Sequence, residues 1–310
     1  MTKAIILTDG KAGHENQSKA FSRSIGCDYT IVPIEFKSKF HKSISYLFDK
    51  IGIRSFKLFK PILNCPATSD IKVVIGTGSG TFYGAKALAK KLGAKSAVIL
   101  FPRGYNLASF DCILAPSFDN PPEKENIIAI PVNLVASDES FYAAGVEAFK
   151  SRYTPSAKDA VAVIIGGPNK CSTMSADWMA KELNEIFDST SECEHWVTTS
   201  RRTPKDVEEV VDSFPFDFKL IYSRDKFNPI PAFVKMAKKL YVTAESTGML
   251  SEACSFGASQ VYALDNLNKG NHKFRRFVQN LKEAGFLGDS GRKADLSPMF
   301  KRALALLGLE

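Results

Sequence analysis

The stretch from Leu240 to Ser255 (LYVTAESTGMLSEACS) combines side chains and backbone groups that could hold an anion. Residues 240–244 predict a buried strand, and residues 249–256 have the apolar spacing of a helix. The residues between them predict a polar turn made of Glu245, Ser246, Thr247 and Gly248. Such a turn directs free backbone N–H groups and the positive end of the helix dipole toward one region, which favours a phosphate.

Glu252 follows Glu245 by seven residues, in what the pattern predicts as the first turn of this helix. A carboxylate there can accept hydrogen bonds from the paired hydroxyls of a sugar, as acidic residues do in nucleotide sites. The alternative is an ordinary helix cap, because Ser or Thr at the cap and Glu in the first turn are common helix stabilisers. The sequence leaves both interpretations open.

Ionisable groups also follow the first predicted strand, Lys3 to Thr8. The next residues are Asp9-Gly10-Lys11-Ala12-Gly13-His14, so Asp9 and His14 stand where open α/β sheets bind ligands and could transfer protons. The loop matches neither the dinucleotide fingerprint nor the P-loop. A plain tight turn is the alternative.

Glycine-rich turns follow two further predicted strands, at 71–75 and 160–165. The turns have the sequences GTGSG (76–80) and GGPNK (166–170), and their glycines allow a ligand to approach the backbone closely. Another predicted strand, at 97–101, leads to Pro102-Arg103-Gly104.

A pair of arginines, Arg201 and Arg202, follows the predicted strand at 195–200. Their guanidinium groups could clamp a diphosphate, although a single exposed arginine is usually only solvated. Thr203 and Pro204 then predict the cap and the first turn of the next helix.

Strands that alternate with helices along the chain predict an α/β fold with parallel sheets. The pattern is interrupted by a polar, proline-containing stretch at 151–158. We therefore predict two domains, 1–152 and 158–296, and a closing helix, 297–310, that could pack back on the first.

The 310 residues are 45% hydrophobic and carry a formal net charge of +8, which suits phosphate-rich partners. No apolar run approaches the roughly 18–20 residues that span a bilayer, and no signal or transit segment precedes the first strand, so we expect a cytoplasmic protein. The six scattered cysteines support neither a disulfide framework nor a zinc site.

The segment from Phe36 to Lys60 interleaves seven Lys or Arg residues with aromatic and aliphatic residues and contains one acid. On a helix, positions 40, 44, 47, 48 and 51 share a face, which predicts a basic amphipathic element able to lie on an anionic membrane. A core helix with a solvated basic face is the alternative. A shorter basic stretch at 268–277 lacks any nucleic-acid motif, so nucleic acid is not an expected partner.

These motifs together resemble the mitochondrial-fission-protein-like (elongated-mitochondria) family, whose bacterial members are often labelled nucleoside-diphosphate-sugar epimerases. The resemblance rests on six stretches spread over nearly the whole chain: TDGKAGHENQ (8–17), VIGTGSGT (74–81), IGGPNK (165–170), TTSRRTP (198–204), Asn228-Pro229 and VTAESTGMLSEA (242–253). It implies a GT-B-like fold, in which two Rossmann-like domains with parallel sheets face each other across a cleft.

The resemblance also implies that the second domain binds a nucleotide-sugar and the first an acceptor. The implied donor contacts are Gly166, Gly167, Asn169, Lys170, Ser200, Arg201, Arg202, Asn228, Glu245, Ser246, Thr247, Gly248, Met249, Ser251 and Glu252. The implied acceptor-side residues are Gly10, Lys11, Gly13, Gly78, Ser79 and Arg103.

The implied reaction is displacement at the anomeric carbon of a sugar, on a cell-envelope or membrane-associated acceptor. It needs a base, for which Asp9 and His14 are the candidates, and positive charge to stabilise the departing diphosphate. No Asp-x-Asp metal motif occurs, so we expect Arg201, Arg202, Lys170 and the helix N-terminus to supply that charge without a metal or cofactor. A nucleotide-sugar epimerase and a non-catalytic scaffold in membrane dynamics remain the alternatives.

Overall fold

The computed structural model describes residues 2–61, 70–270 and 272–310, which contain two parallel β-sheets. The chain divides into unit 1, Met1–Ala136 with Asp295–Glu310, and unit 2, Ser137–Ala294. The two sheets confirm the predicted α/β fold. Cys65 lies outside the described residues.

Unit 1 has a six-stranded sheet in the order β2-β1-β3-β4-β5-β6. Its strands are β1 (Thr2–Thr8), β2 (Cys27–Pro33), β3 (Ile71–Thr77), β4 (Lys95–Ile99), β5 (Cys112–Pro116) and β6 (Ile127–Ile130). Three of its helices are α1 (Ala12–Ser24), α2 (Lys39–Lys50) and α3 (Phe82–Leu92). Its central strands are apolar on both faces because helices cover both sides: Ile5 and Leu7 join one core cluster, and Ile6 joins the other.

Unit 2 has a five-stranded sheet in the order β11-β10-β7-β8-β9. Its strands are β7 (Ala160–Ile164), β8 (Glu194–Thr198), β9 (Phe218–Leu220), β10 (Lys239–Thr243) and β11 (Gln260–Leu264). Its helices are α4 (Glu139–Lys150), α5 (Ala176–Ser189), α6 (Lys205–Ser213), α7 (Ile230–Met236), α8 (Thr247–Ser255) and α9 (Lys273–Glu283).

Helix α4 belongs to unit 2, whereas the sequence pattern predicts that the first domain extends to residue 152. The physical reason is aromatic packing: the Phe149 ring lies 5.1 Å from Trp196, 4.7 Å from Phe218 and 5.8 Å from Phe233, measured between ring centroids. These partners are far along the chain, so no local pattern marks the boundary.

The closing helix, α10 (Ser297–Leu307), belongs to unit 1. Its Phe300 ring lies 6.4 Å from Phe21, and Ala303 and Leu307 are buried in the same core cluster. Among the described residues, no helix combines the length and the apolar character needed to cross a bilayer.

Candidate functional site

Three loops of unit 2 leave the same edge of its sheet. β10, β7 and β8 are neighbouring parallel strands, so the loops at their carboxyl ends lie side by side. We call them the glycine loop (165–170, after β7), the arginine turn (199–204, after β8) and the α8 turn (244–249, after β10). These loops contain most of the predicted donor contacts, and ligands of open α/β sheets bind at this edge.

Glu245 holds the glycine loop in place. The residue is only 2% exposed, and its Oε1 accepts hydrogen bonds from the backbone N–H of Gly167 (2.7 Å) and the hydroxyl of Thr243 (3.1 Å). Its Oε2 accepts from the side-chain amide of Asn266 (2.7 Å). Both oxygens therefore serve the fold, so the structure gives Glu245 a positioning role instead of the predicted direct contact.

The glycine loop and the arginine turn approach each other too closely for side chains at two positions. A Cβ on Gly166 would overlap the Glu245 carboxylate, and one on Gly167 would overlap the backbone carbonyl of Arg202. The hydroxyl of Thr203 joins the same loops, because it donates to the Gly166 carbonyl (2.6 Å) and accepts from the Ser200 N–H (2.8 Å). Thr203 is thus not the helix cap that its sequence context predicts.

Helix α6 begins at Lys205, with Pro204 at the cap position and no side-chain cap hydrogen bond. The arginine turn is therefore longer than predicted.

A pocket of about 280 Å³ lies beside the arginine turn. Two aromatic residues that the sequence pattern did not indicate, Tyr222 and Phe227, line it. Five predicted donor contacts from three parts of unit 2 also line it: Ser200, Arg201, Arg202, Asn228 and Met249. Tyr222 follows closely after β9, so its place at a strand's carboxyl end was the available signal. Met249 belongs to the first turn of α8, so the pocket brings that turn next to the arginines.

The arginines and Lys170 provide positive charge at this edge. Arg201 and Arg202 are exposed, and a guanidinium nitrogen of Arg202 lies 3.5 Å from the carbonyl oxygen of Pro168. Neither guanidinium forms an ion pair with the described residues, and the exposed Lys170 ammonium forms none either. These cations are therefore available to an anionic ligand. Asn169 is occupied by its own loop, because its Oδ1 accepts from the Cys171 N–H (2.7 Å).

The first turn of α8 has no side-chain cap. Ser246 occupies the cap position, but its side chain makes no cap hydrogen bond. Its backbone carbonyl accepts a hydrogen bond from the N–H of Leu250 (3.0 Å). The ordinary-cap interpretation is therefore wrong. A Cβ on Gly248, the second residue of the helix, would meet no atom within 4 Å.

Glu252 lies in the second turn of α8, not in the predicted first turn, because the helix begins at Thr247. Its Oε1 accepts a hydrogen bond from the Tyr142 hydroxyl (3.0 Å), and no ion pair with a described residue balances its charge. Burial raises the pKa of Glu252, and the bond from Tyr142 only partly offsets this. The neighbouring Ser251 is fully buried inside unit 2, so its side chain does not face the pocket as predicted.

In unit 1, Asp9 and His14 form a hydrogen-bonded pair after β1. The Nδ1 atom of His14 lies 3.0 Å and 3.1 Å from the two carboxylate oxygens of Asp9, and Lys11 Nζ lies 2.9 Å from one of them. Burial disfavours the Asp9 charge, but the bonds and charges of Lys11 and His14 outweigh burial and lower the pKa of Asp9. With Nδ1–H donated to Asp9, the Nε2 atom of a neutral His14 is left as a proton acceptor.

The glycine-rich turn after β3 fits against this pair. A Cβ on Gly78, whose φ is +80°, would overlap the His14 ring, and one on Gly80 would lie 2.9 Å from the Cβ of Asp9. Gly10 also has a positive φ, +78°, as the tight turn after β1 requires. The sequence predicted each of these two loops separately, and the structure shows that they pack against each other.

The other predicted acceptor-side residues lie at the same sheet edge with separate partners. Ser79 accepts a hydrogen bond from the Lys42 ammonium (2.8 Å), and Arg103 pairs with Asp119 (3.2 Å). Gly13 is exposed in the first turn of α1. No cluster of three or more His, Cys, Asp or Glu side chains suited to a metal ion occurs in the described part of the chain.

Sequence comparison gives a family match over most of the chain. The family model described as Mitochondrial fission ELM1 matches residues 12–297. A curated relative, the uncharacterized protein RP120 of Rickettsia prowazekii, is 32% identical over 320 residues, which cover 90% of this chain and 87% of the relative.

Three solved structures have a fold similar to that of this chain, although their sequences are only 11–12% identical to it. The UDP-GlcNAc 2-epimerase from Neisseria meningitidis bound to UDP-GlcNAc has a TM-score of 0.54 and 11% identity, with 99% of each chain covered. The MnaA–UDP structure from S. aureus has a TM-score of 0.51 and 12% identity, covering 100% of this chain and 98% of the other. A putative UDP-N-acetylglucosamine 2-epimerase from Listeria monocytogenes has a TM-score of 0.52 and 11% identity, covering 99% of this chain and 88% of the other. At these identities the likeness concerns the fold.

Proposed function

The chain belongs to the mitochondrial fission ELM1 family and has a GT-B-like fold, and from this premise we propose that it is a nucleotide-sugar-dependent glycosyltransferase. The observation that carries the proposal is the pocket in unit 2, where the arginine turn and the first turn of α8 lie side by side. Exposed guanidinium groups beside uncapped backbone N–H groups are the surroundings that a diphosphate requires.

Unit 2 binds the donor in this proposal. Arg201, Arg202 and Lys170 contact the diphosphate together with the N–H groups of residues 247–249. The aromatic residues Tyr222 and Phe227 give the pocket flat apolar surface suited to a base. Glu252 accepts hydrogen bonds from the ribose hydroxyls, which is consistent with a half-buried carboxylate that forms no ion pair with any described residue.

Unit 1 supplies the base. An acceptor hydroxyl oxygen attacks the anomeric carbon and gives its proton to Nε2 of His14, while the bond between that carbon and the diphosphate oxygen breaks. The electron pair leaves with the nucleoside diphosphate, whose charge Arg201 and Arg202 stabilise. Asp9 keeps the His14 ring in the required tautomer and stabilises the imidazolium that forms. The proposed acceptor is part of the cell envelope or associated with a membrane.

Epimerisation of the nucleotide-sugar without an acceptor is the competing reaction, because two of the three compared structures are described as UDP-GlcNAc 2-epimerases. A binding protein without turnover is the other competitor. The pocket is compatible with all three, so products must distinguish them.

A two-stage experiment tests the proposal. A thermal-shift screen against nucleoside diphosphates and nucleotide-sugars identifies the donor class, since a ligand at a hundred times its Kd stabilises the folded state by about 2.7 kcal/mol. Uridine nucleotides come first because two of the compared structures contain them. Product analysis with the best donor then follows, with and without a membrane lipid extract as acceptor source. We expect nucleoside diphosphate release that depends on the extract. An epimerised sugar without it, or no shift with any nucleotide, would contradict the proposal.

A further inference from the structure

Helix α2 and the residues after it expose an apolar edge to solvent. Phe40 is 70% exposed, Leu47 59%, Ile51 62% and Ile53 41%. At about 100° per residue, positions 40, 47 and 51 fall on one line along the helix surface. Only one other large hydrophobic residue in the described part of the chain is comparably exposed, Phe141 of unit 2 at 44%.

The helix is held in this orientation by polar residues on its opposite face. Ser45 and Asp49 are its fully buried residues, at 0% and 1% exposure. Asp49 pairs with the buried Lys86 ammonium (2.7 Å) and with Arg54 (3.3 Å), and Ser45 bonds with the hydroxyl of Tyr105 (2.9 Å). Rotating α2 to bury its apolar edge would separate these pairs, which is costly for buried charges.

The predicted shared face is therefore divided between two environments. Ile44 and Phe48 pack partly against the core of unit 1, whereas Phe40, Leu47 and Ile51 do not. A core helix with a solvated basic face, the alternative left open by the sequence, describes Ile44 and Phe48 but does not account for the exposed apolar side chains.

Exposed basic residues belong to the same segment as the exposed edge, and Lys39 and Lys50 are the chain neighbours of Phe40 and Ile51. Lys37, Lys39, Lys50 and Lys57 are exposed, and the only acid of the segment 36–60, Asp49, is buried in its ion pairs. The surface around the apolar side chains thus carries positive charge without a neighbouring exposed carboxylate from the same segment. This combination is complementary to an anionic lipid surface, where lysines meet phosphates and apolar side chains enter the headgroup boundary.

We propose that the exposed edge of α2, with Phe40, Leu47, Ile51 and Ile53 at its centre, docks unit 1 on the surface of an anionic phospholipid membrane. The protein lies on the membrane and does not span it. The inference rests on the exposed apolar line and its basic surroundings, and it is independent of the proposed activity.

Vesicle flotation tests this with the full-length protein. Vesicles of phosphatidylglycerol mixed with phosphatidylcholine are compared with vesicles of phosphatidylcholine alone, at low and high salt. We expect binding only to the anionic vesicles, weakened by salt. The triple variant Phe40→Ser/Leu47→Ser/Ile51→Ser should lower the partition coefficient by about tenfold or more, because each side chain contributes burial on insertion. The variant Lys39→Glu/Lys50→Glu should lower it by a similar factor.

Matched controls separate this surface from general effects. Phe141→Ser removes an exposed aromatic residue from unit 2, and Lys181→Glu/Lys205→Glu makes the same change in net charge on exposed helix surfaces. Both controls should float like the wild type, and all variants should keep its thermal unfolding midpoint because the changed side chains are exposed. Equal flotation with both vesicle types, or controls as defective as the α2 variants, would overturn the proposal. So would an α2 triple variant that still floats normally but no longer self-associates in sedimentation, since the edge would then be a contact between copies of the chain.

Discussion

Two carboxylates near the start of α8 differ in what their oxygens contact. Glu245 uses both oxygens to hold the glycine loop and Asn266. Glu252 receives one bond, from Tyr142, and its Oε2 has no hydrogen-bond partner among the described residues. Glu252 is thus the carboxylate that retains acceptor capacity for ligand hydroxyls, and this capacity favours the ribose assignment.

The variant Glu252→Gln should weaken binding of the nucleoside diphosphate by about 1–3 kcal/mol, or tenfold to a hundredfold, the usual loss for a charge-assisted hydrogen bond. The thermal midpoint at neutral pH should not fall, because the amide still accepts from Tyr142 and removes a charge whose ionisation is disfavoured by burial. Calorimetric titration and thermal unfolding measure the two effects. The control is Glu209→Gln, on the exposed face of α6. Unchanged affinity would remove Glu252 from the ribose site.

The pH dependence gives the same prediction a second readout. The pKa of Glu252 is raised in the folded protein, so ionisation of this carboxyl lowers the free energy of unfolding. This cost is complete above the folded pKa, shrinks as the pH falls through the folded pKa, and is gone below the unfolded pKa. Ribose hydroxyls require the ionised form, so nucleotide affinity should decrease over that same fall in pH. Glu252→Gln should lack this step, while titration of the ligand phosphate remains in both proteins. Identical pH profiles would contradict the assignment.

Substitution of the base should lower turnover before affinity. His14→Ala and Asp9→Asn should each reduce kcat by roughly 10²–10⁴, the usual contribution of general base catalysis, and leave nucleotide affinity intact because the pair lies in unit 1. Lys124→Ala, an exposed change in the same unit, serves as the control. Steady-state kinetics with the identified donor measures this. Wild-type turnover in both variants would exclude the pair.

The sequence predicted the positions of the loops at the sheet edge better than the directions of their side chains. The motif predicts ligand contacts for both Ser251 and Glu252, but in a helix that starts at Thr247 the Ser251 side chain is fully buried, whereas Glu252 is only half-buried. The partner of Glu252, Tyr142, lies 110 residues away and leaves no local signal. Direction and partners depend on tertiary packing, which the pattern does not contain.

At the scale of elements, glycines occur in the loops for two different reasons. Gly166 and Gly167 are explained by the protein itself, because a side chain there would overlap Glu245 or the arginine turn. Gly248 has no such explanation, since nothing lies near its missing Cβ and its φ is not positive. Glycine inside a helix is unfavourable, so close approach of a ligand to the first turn of α8 explains it best.

Two matched substitutions test this. Gly248→Ala and Gly13→Ala each replace the second residue of a helix where a Cβ meets no atom within 4 Å. Both should raise stability by roughly 0.5–1 kcal/mol, measured by denaturant unfolding, because alanine favours the helix. Only Gly248→Ala should weaken nucleotide binding. Equal affinities for the two variants and the wild type would show that the ligand does not approach this turn.

The elements that sequence reasoning missed have weak local patterns. β2 is an edge strand whose residues are mostly half-buried or exposed, so it lacks the apolar run of the central strands. The rotation of α2 was likewise unpredictable, because Asp49 is buried through Lys86, a residue of another helix. Central strands such as β7, buried at every position, are predicted readily from their apolar runs.

For the whole molecule, the division into units separates the proposed tasks. Unit 2 contains the pocket and its cations, whereas unit 1 contains the Asp9–His14 pair and the exposed edge of α2. The chain passes from unit 1 to unit 2 before α4 and returns to unit 1 before α10, so α4 belongs to unit 2 and α10 to unit 1. Donor binding should therefore respond to changes in unit 2 alone, and membrane binding to changes in unit 1 alone.

Binding of a nucleoside diphosphate by the pocket beside the arginine turn is the basis of the proposed function. Its most direct test is calorimetric titration of the full-length protein with uridine diphosphate, or the better nucleotide from the screen. The test compares wild type with Arg201→Ala/Arg202→Ala and with the control Arg292→Ala, an exposed arginine of unit 2 outside the pocket. The proposed binding predicts one site per chain, wild-type affinity in the control, and at least about a hundredfold weaker binding in the double variant, since each charge-assisted contact contributes about 1.5–3 kcal/mol. Equal affinity in all three proteins, or no binding by the wild type, would contradict it.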